Sequence, residues 1–228
     1  MSYVTPVVPT FLGLKNIEAK VQEMQAIIAA NLPWLNYSFG LADRFVEQGE
    51  DGARIYPAAF MTNGDPYDCM PNDRHAFSFW RIADPTTLEH FDENAYERWP
   101  YMLTEIDFIL FANIQRIDNN LSMYITRSKL RQDIINTLSN KMKGSYKLVP
   151  LTVFENDITE VYSGYSTEQI DNIMKQLPYW AIRVNCQLRY ISDCPVPNAY
   201  ALGTYGVQYQ VDSTGDYIVD ENNDPVPV

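Results

Sequence analysis

Within residues 180–191, WAIRVNCQLRYI, two kinds of side chain alternate from Trp180 to Tyr190. Trp180, Ile182, Val184, Cys186, Leu188 and Tyr190 fill the even positions, and Ala181, Arg183, Asn185, Gln187 and Arg189 the odd ones. Successive side chains on a strand point to opposite faces. A period of two therefore sets one row in a core and the other against water or a polar partner. The segment is predicted as a central sheet strand, and the remaining elements must supply its neighbours and its cover.

The chain before it offers both. Leu14, Ile17, Val21, Met24 and Ile28 recur every three or four residues and predict a helix over 14–32, stopped by Pro33. Trp34, Tyr37 and Phe39 follow as packing residues under its end. Residues 1–13, with Pro6 and Pro9 among Val and Thr, read as an extended N-terminal arm. Residues 54–61 and 76–82 read as a pair of strands, with Pro57 assigned to an edge or bulge and residues 63–75 to a projecting hairpin loop. Thr86 and Glu89 fit a capping box for a short helix that carries Leu88, Phe91, Tyr96 and Trp99.

Residues 104–118 read as a long strand that is apolar on both sides, with Ile106, Phe108, Leu110, Ala112 and Ile114 on one face and Ile109 and Phe111 on the other; both faces must be covered. Ser128 is placed as the cap of a helix with Leu130, Ile134, Leu138 and Met142 on one side and Gly144 past its end. A strand starts near Leu148 and loses its alternation at residues 155–157, which fits a bulge or a turn. Ser166 and Gln169 fit a second capping box, for a helix with Ile170, Ile173 and Leu177 that ends at Pro178. The predicted class is α+β: a mostly antiparallel or mixed sheet packed by a long N-terminal helix and a second helix, with an extended C-terminal arm. The expected divisions are an arm at 1–13, an α+β domain at 14–192 and an acidic, tyrosine-rich arm at 193–228.

Composition narrows the function. The 228 residues carry 29 acidic and 17 basic side chains, a formal charge of −12, which opposes the phosphate contacts behind nonspecific nucleic-acid binding. Residues 193–228 hold six of the acids and no Lys or Arg. Cys69, Cys186 and Cys194 are too few for a disulfide framework. No signal-peptide pattern opens the chain and no apolar run reaches about 18 residues, so a soluble product of a reducing cytosol is expected, with no membrane partner. The glycosylation-type triplets at Asn36 and Asn120 are then incidental.

Candidate chemistry is sparse. Asp68, Cys69, Asp73 and His75 are metal-capable types in one loop, but their spacing matches no zinc pattern, and a polar loop is the preferred reading; His90 is isolated. Glu105 and Asp107 share a strand face at a spacing that suits coupled carboxylates, with solvated acids as the preferred reading. Phosphate-loop, dinucleotide and nucleophile-elbow motifs are absent. No catalytic residue, cofactor or metal is expected. Arg183 and Arg189 form a polar row with Asn185 and Gln187, either an anion or DNA site or, preferably, partners for acids such as Glu160 or those of a neighbouring subunit. Tyr200, Tyr205 and Tyr209 in the C-terminal arm complete the candidate interface.

In its order of elements, and in the segments EIDFILFANIQRID, TVFENDITEVYSGY and YWAIRVNCQLRYISDC, the chain resembles tail-completion and tail-terminator proteins of tailed bacteriophages, and most of all the neck ring proteins of crAss-like bacteriophages. The resemblance spans residues 14–192. It implies a structural virion protein without an active site, which forms a homo-oligomeric ring around the DNA channel, twelve-fold in preference to six-fold. Adjacent portal, neck or tail proteins would be its partners, with no sequence-specific contact to nucleic acid. The competing class is a glycan- or small-molecule-binding module or an enzyme, in which Trp80, Trp99, Trp180 and the tyrosines stack on a ligand.

Overall fold

A computed structural model describes residues 5–12, 14, 16–49, 52–73, 75–84, 87–89, 101–118, 122–142, 144–155 and 157–191. The chain divides into two units after Ser192. Residues 193–228, which contain Tyr200, Tyr205 and Tyr209, lie outside the described residues.

The α+β class is what the chain adopts. Helix α1 (Asn16–Asn31) is followed by β1 (Tyr37–Gly49), β2 (Gly52–Phe60), β3 (Pro66–Asp68), β4 (Phe77–Ile82), β5 (Thr87–Glu89) and β6 (Tyr101–Asn113). Then come the single turn α2 (Ile114–Ile117), helix α3 (Met123–Asn136), β7 (Tyr146–Phe154), the turn α4 (Ile158–Val161) and β8 (Tyr179–Ile191). The strands form one mixed sheet in the order β3-β2-β1-β4-β6-β8-β7, with β5 added beside β6. β1 and β4 are parallel, whereas the other pairs are antiparallel.

β8 is central, as its alternation predicts. It pairs with β6 along thirteen residues, from Tyr101↔Ile191 to Asn113↔Tyr179, and with β7 on its other side. Its six even side chains are buried in one core with Ile106, Phe108, Leu110 and Ala112 of β6. Helices α1 and α3 cover that face: Ile17, Val21, Met24 and Ile28 come from α1, Leu130 and Ile134 from α3, and Leu138 and Met142 from the π-helical turn Thr137–Lys141 and the residue after it. The opposite face carries a second core, with Phe77 and Phe79 of β4, Ile109 and Phe111 of β6 and Ala181 of β8. Its cover is made of short pieces, namely Cys69 and Met70 after β3, Ile158, Val161 and Tyr162 at α4, and Ile170.

Several expectations are corrected. β1 was not predicted: Gly40, a register shift between Ser38 and Leu41, and exposure of residues 43–49 on both sides remove the alternation that would mark it. The strands at 54–61 and 76–82 do not pair with each other. β4 lies on the far side of β1, and the tight turn at Asn63-Gly64 leads into β3, so residues 63–75 are not a hairpin loop joining that pair. Pro57 sits where β3 ends; its carbonyl accepts from Cys69 N, and its absent N–H would face the same flank, beyond the last β2–β3 register pair.

Thr87–Glu89 is a strand and not the start of a helix, since it finds an open edge on β6; residues 90–100, with His90 and Trp99, lie outside the described residues. β6 ends at Asn113, whose side chain accepts from Gln115 N and turns Ile114–Ile117 into a helical turn. Ser122, not Ser128, caps α3, accepting from Ile125 N. The bulge in β7 falls between Pro150 and Thr152, the strand ends at Phe154, and Asp157 caps α4; Asn156 lies outside the described residues. Ser166 precedes a 3-10 turn but its side chain makes no capping bond to it. Two short 3-10 turns, Thr167–Gln169 and Asn172–Lys175, replace the predicted one, with Ile173 and Leu177 exposed.

Of the predicted arm at 1–13, residues 5–12 are described and form no helix. Val7 bridges to Tyr37 in parallel fashion, with Val7 N donating to Asn36 O and Ser38 N to Val7 O. Gln22 exchanges hydrogen bonds with the backbone of Phe11, and Gln25 Nε2 donates to the carbonyls of Pro9 and Ser38, so two amides of α1 hold the arm down. No helix among the described residues is long and apolar enough to cross a membrane.

Candidate functional site

Arg81, Asp107 and Asn185 stand side by side across β4, β6 and β8, because Arg81↔Asp107 and Asp107↔Asn185 are register partners. Asp107 belongs to the otherwise apolar run of β6 and is 3% exposed. A carboxylate desolvated in this way must be paired and hydrogen-bonded to be tolerated. Its Oδ2 accepts from Nε and Nη2 of Arg81, each at 2.8 Å, and its Oδ1 accepts from Asn185 Nδ2 at 3.1 Å.

Arg183, two positions before Asn185 on the same face, adds a second cation, with its Nη1 3.9 Å from Asp107 Oδ2. The same Nη1 donates to Ser163 Oγ at 2.6 Å, and the guanidinium lies over the ring of Phe154 at 4.1 Å. Arg81 in turn donates to Ser163 O at 2.7 Å and stacks over Tyr165. Burial lowers the pKa of Arg183, and the neighbouring Arg81 works in the same direction, while Asp107 and Glu160 oppose them. Burial likewise raises the Tyr165 hydroxyl. Two guanidiniums thus share one carboxylate and clamp the loop after α4 onto the sheet.

The chemistry open to this cluster is limited. Both Asp107 oxygens are engaged and both guanidiniums are turned toward the protein's own groups, so the cluster orders the fold and presents no free acid–base pair. Glu105 and Asp107 are expected to be solvated rather than coupled, and for Asp107 this is corrected: it is buried and taken up by partners on β4 and β8, while Glu105 contributes its backbone carbonyl to Ala83 N. Of the predicted arginine row, Arg183 is in the cluster, with Asp107 rather than Glu160 as its ion-pair partner. Arg189 lies further along β8, exposed, beside Lys147 of β7. Arg81, Ser163 and Tyr165 were not foreseen. A lone Asp amid EIDFILFA was the available signal, since an acid in the middle of a two-sided apolar strand demands a cation on a neighbouring strand.

The loop at 68–75 is spent on local structure. Asp68 pairs with Arg54 and accepts from Met70 N, Cys69 is buried with its thiol pKa pushed up by desolvation, and His75 Nδ1 meets Tyr67 OH at 3.2 Å. Among the described residues no three His, Cys, Asp or Glu side chains converge on a possible metal position.

The second feature is a ribbon. The last register pair of β1 with β4 is Leu41↔Trp80, yet β1 and β2 remain paired to Gly49↔Gly52. Residues 43–49 of β1 are mostly exposed, and Val46 is 56% exposed. The ribbon is braced in its outer half: Ile55 N donates to Ser166 Oγ, Ser166 N to Ile55 O, and Arg54 joins Glu47 and Asp68. Where β1 and β4 part, a cleft of about 430 Å³ opens between Leu41–Arg44 and Arg81–Ala83, with Gly164 and Tyr165 on its wall. No protein-family model matches the chain, and no curated protein is similar enough to it to count as a relative.

Proposed function

We propose that this protein is a structural ring component of the head-to-tail connector of a tailed bacteriophage, joining portal-proximal layers to the tail around the DNA channel and assembling through contacts between copies. The observation that carries the reading is the braced ribbon of β1 and β2. A two-stranded ribbon alone in water is marginal, because ordering its backbone is not offset by burial. Here it is held in place by Ser166 and Arg54 while Val46 is left exposed, which suits a surface reserved for a neighbour. The resemblance of residues 14–192 supplies the setting, and the charge of −12 suits a ring that lets DNA pass without gripping its phosphates. The consumption of Asp107, Arg81 and Arg183 by the fold favours a scaffold over chemistry at that cluster.

The glycan-binding alternative rests on Trp80, Trp99, Trp180 and the tyrosines, of which Trp99 lies outside the described residues. Trp80 and Trp180 are buried in the core and have no face to offer a sugar. Native mass spectrometry and negative-stain imaging of the full chain test the proposal: closed rings, twelve-fold in preference to six-fold, are expected. A monomer that binds a glycan or small ligand would overturn it.

A further inference from the structure

The ribbon has one closed edge and one open edge. Ile55 directs both its N–H and its C=O to Ser166, and Pro57 directs its carbonyl to Cys69, so the outer flank of β2 is occupied. Val46 and Arg44 are the register partners of Ile55 and Pro57. In an antiparallel ladder, partners whose polar groups face outward on one strand face outward on the other as well. The N–H and C=O groups of Arg44, Val46 and Gln48 therefore point away from β2, and none of them has a partner among the described residues. This edge runs directly into the cleft between β1 and β4. At the other end of the sheet, by contrast, β7 carries Lys147, Pro150 and a bulge, features that discourage strand addition.

We infer that the outer edge of β1, residues 43–49, accepts an added strand from residues 205–211 of a neighbouring copy of this chain. The inference rests on the ring reading and names the contact that closes the ring. Residues 205–211, YGVQYQV, alternate Tyr205, Val207, Tyr209 and Val211 with Gly206, Gln208 and Gln210, and they match the seven residues of the open edge in length. They carry no charge, so they set no like charge opposite Asp43, Arg44 or Glu47. Pairing of two β1 edges fits less well: centred on Val46, it sets Glu47 of each copy opposite Phe45 of the other and leaves Arg44 opposite Gln48. A strand donated head to tail also generates a closed ring, whereas a self-paired edge generates only a two-fold dimer.

The test is cross-linking in the full-length chain. Val46→Cys and Val207→Cys are introduced together with Cys194→Ser, heavy-isotope and light copies are mixed before assembly, and a short bismaleimide is added. Peptides joining position 46 of one isotopic form to position 207 of the other are expected. Cross-links within single chains only, links from 46 to 46 only, or rings without a 46–207 link would each overturn the inference and leave the ring reading standing. A chain that never oligomerises would remove both. Independently, Val46→Pro deletes an N–H that faces away from β2, and an assembly constant weakened about tenfold is expected from the loss of one intermolecular hydrogen bond and the edge geometry. Unchanged assembly of folded Val46→Pro protein would count against the edge.

Discussion

The two faces of the sheet are built on different physics. The face under α1 and α3 is lined by aliphatic and aromatic side chains whose burial needs no particular angle, and two long amphipathic elements close it. The opposite face combines an aromatic cluster around Phe39, Tyr67, Phe77 and Phe111 with the Arg81–Asp107–Arg183 lattice, and short turns close it. The first face is held mainly by area removed from water, whereas the second also needs charges and rings at fixed distances. A change of volume is the threat to one, and a change of charge the threat to the other.

That contrast can be broken by experiment. The largest effect is expected from Val184→Asp on the helical face, where Val184 is fully buried in the apolar core and a new carboxylate would be desolvated. A loss of more than about 4 kcal/mol is expected, enough to abolish the cooperative thermal transition. A folded variant with an unchanged melting temperature would mean that the faces are reversed.

On the opposite face, Asp107→Asn keeps the shape and removes the one charge that two guanidiniums share. A loss of about 3 kcal/mol is expected in urea unfolding, because uncompensated buried charge is the main cost. Converting the cluster to Asp107→Leu with Arg81→Met and Arg183→Met should recover most of it. If the triple variant is no better than the single one, the hydrogen bonds to Ser163 and Asn185 matter more than charge balance.

The smallest effect is alkaline. Burial pushes Tyr146 on the helical face and Tyr67 on the other up to about 12 from 10.0, and Cys186 up to about 12 from 9.0. The folded state thus holds these protons more tightly than the unfolded chain. Their contribution to stability is whole below about pH 9 and is lost as pH rises from there toward 12. Unfolding curves at pH 8, 10 and 11 should show the decline, and Tyr146→Phe and Tyr67→Phe should each make it shallower. If only one does, the desolvation is confined to that face.

Legibility in the sequence followed the same division. The stripe of α1, the alternation of β8 and the two-sided run of β6 are repeated over many residues, so burial of any one member is reinforced by the rest. Their cover could be inferred from the demand that both faces be dry. Residues 37–49 do not read as a strand, because Gly40 and a register shift break the buried half and the ribbon at 43–49, exposed on both faces, has no apolar row to reveal it. Ser166 illustrates the limit at short range: the same capping-box letters that favour a helix start serve instead to bond the backbone of Ile55, 111 residues away. The partnership of Asp107 with Arg81 depends on β4 lying next to β6, a fact of topology that no local pattern carries.

The order of the strands has a consequence for how the chain is made. β8 is the last described strand to leave the ribosome, yet it lies between β6 and β7 and supplies six side chains to the helical core. A nascent chain that ends before residue 179 has a gap where its central strand belongs, with the facing edges of β6 and β7 unsatisfied. The fold therefore closes late, from its middle, by contacts between residues 66 to 90 positions apart. Pairings this distant in sequence are slow to form, and open strand edges invite association with other chains in the interval. Fragments truncated within residues 179–191 should be recovered bound to a chaperone or in aggregates, and those that include all of β8 in free, protease-resistant form.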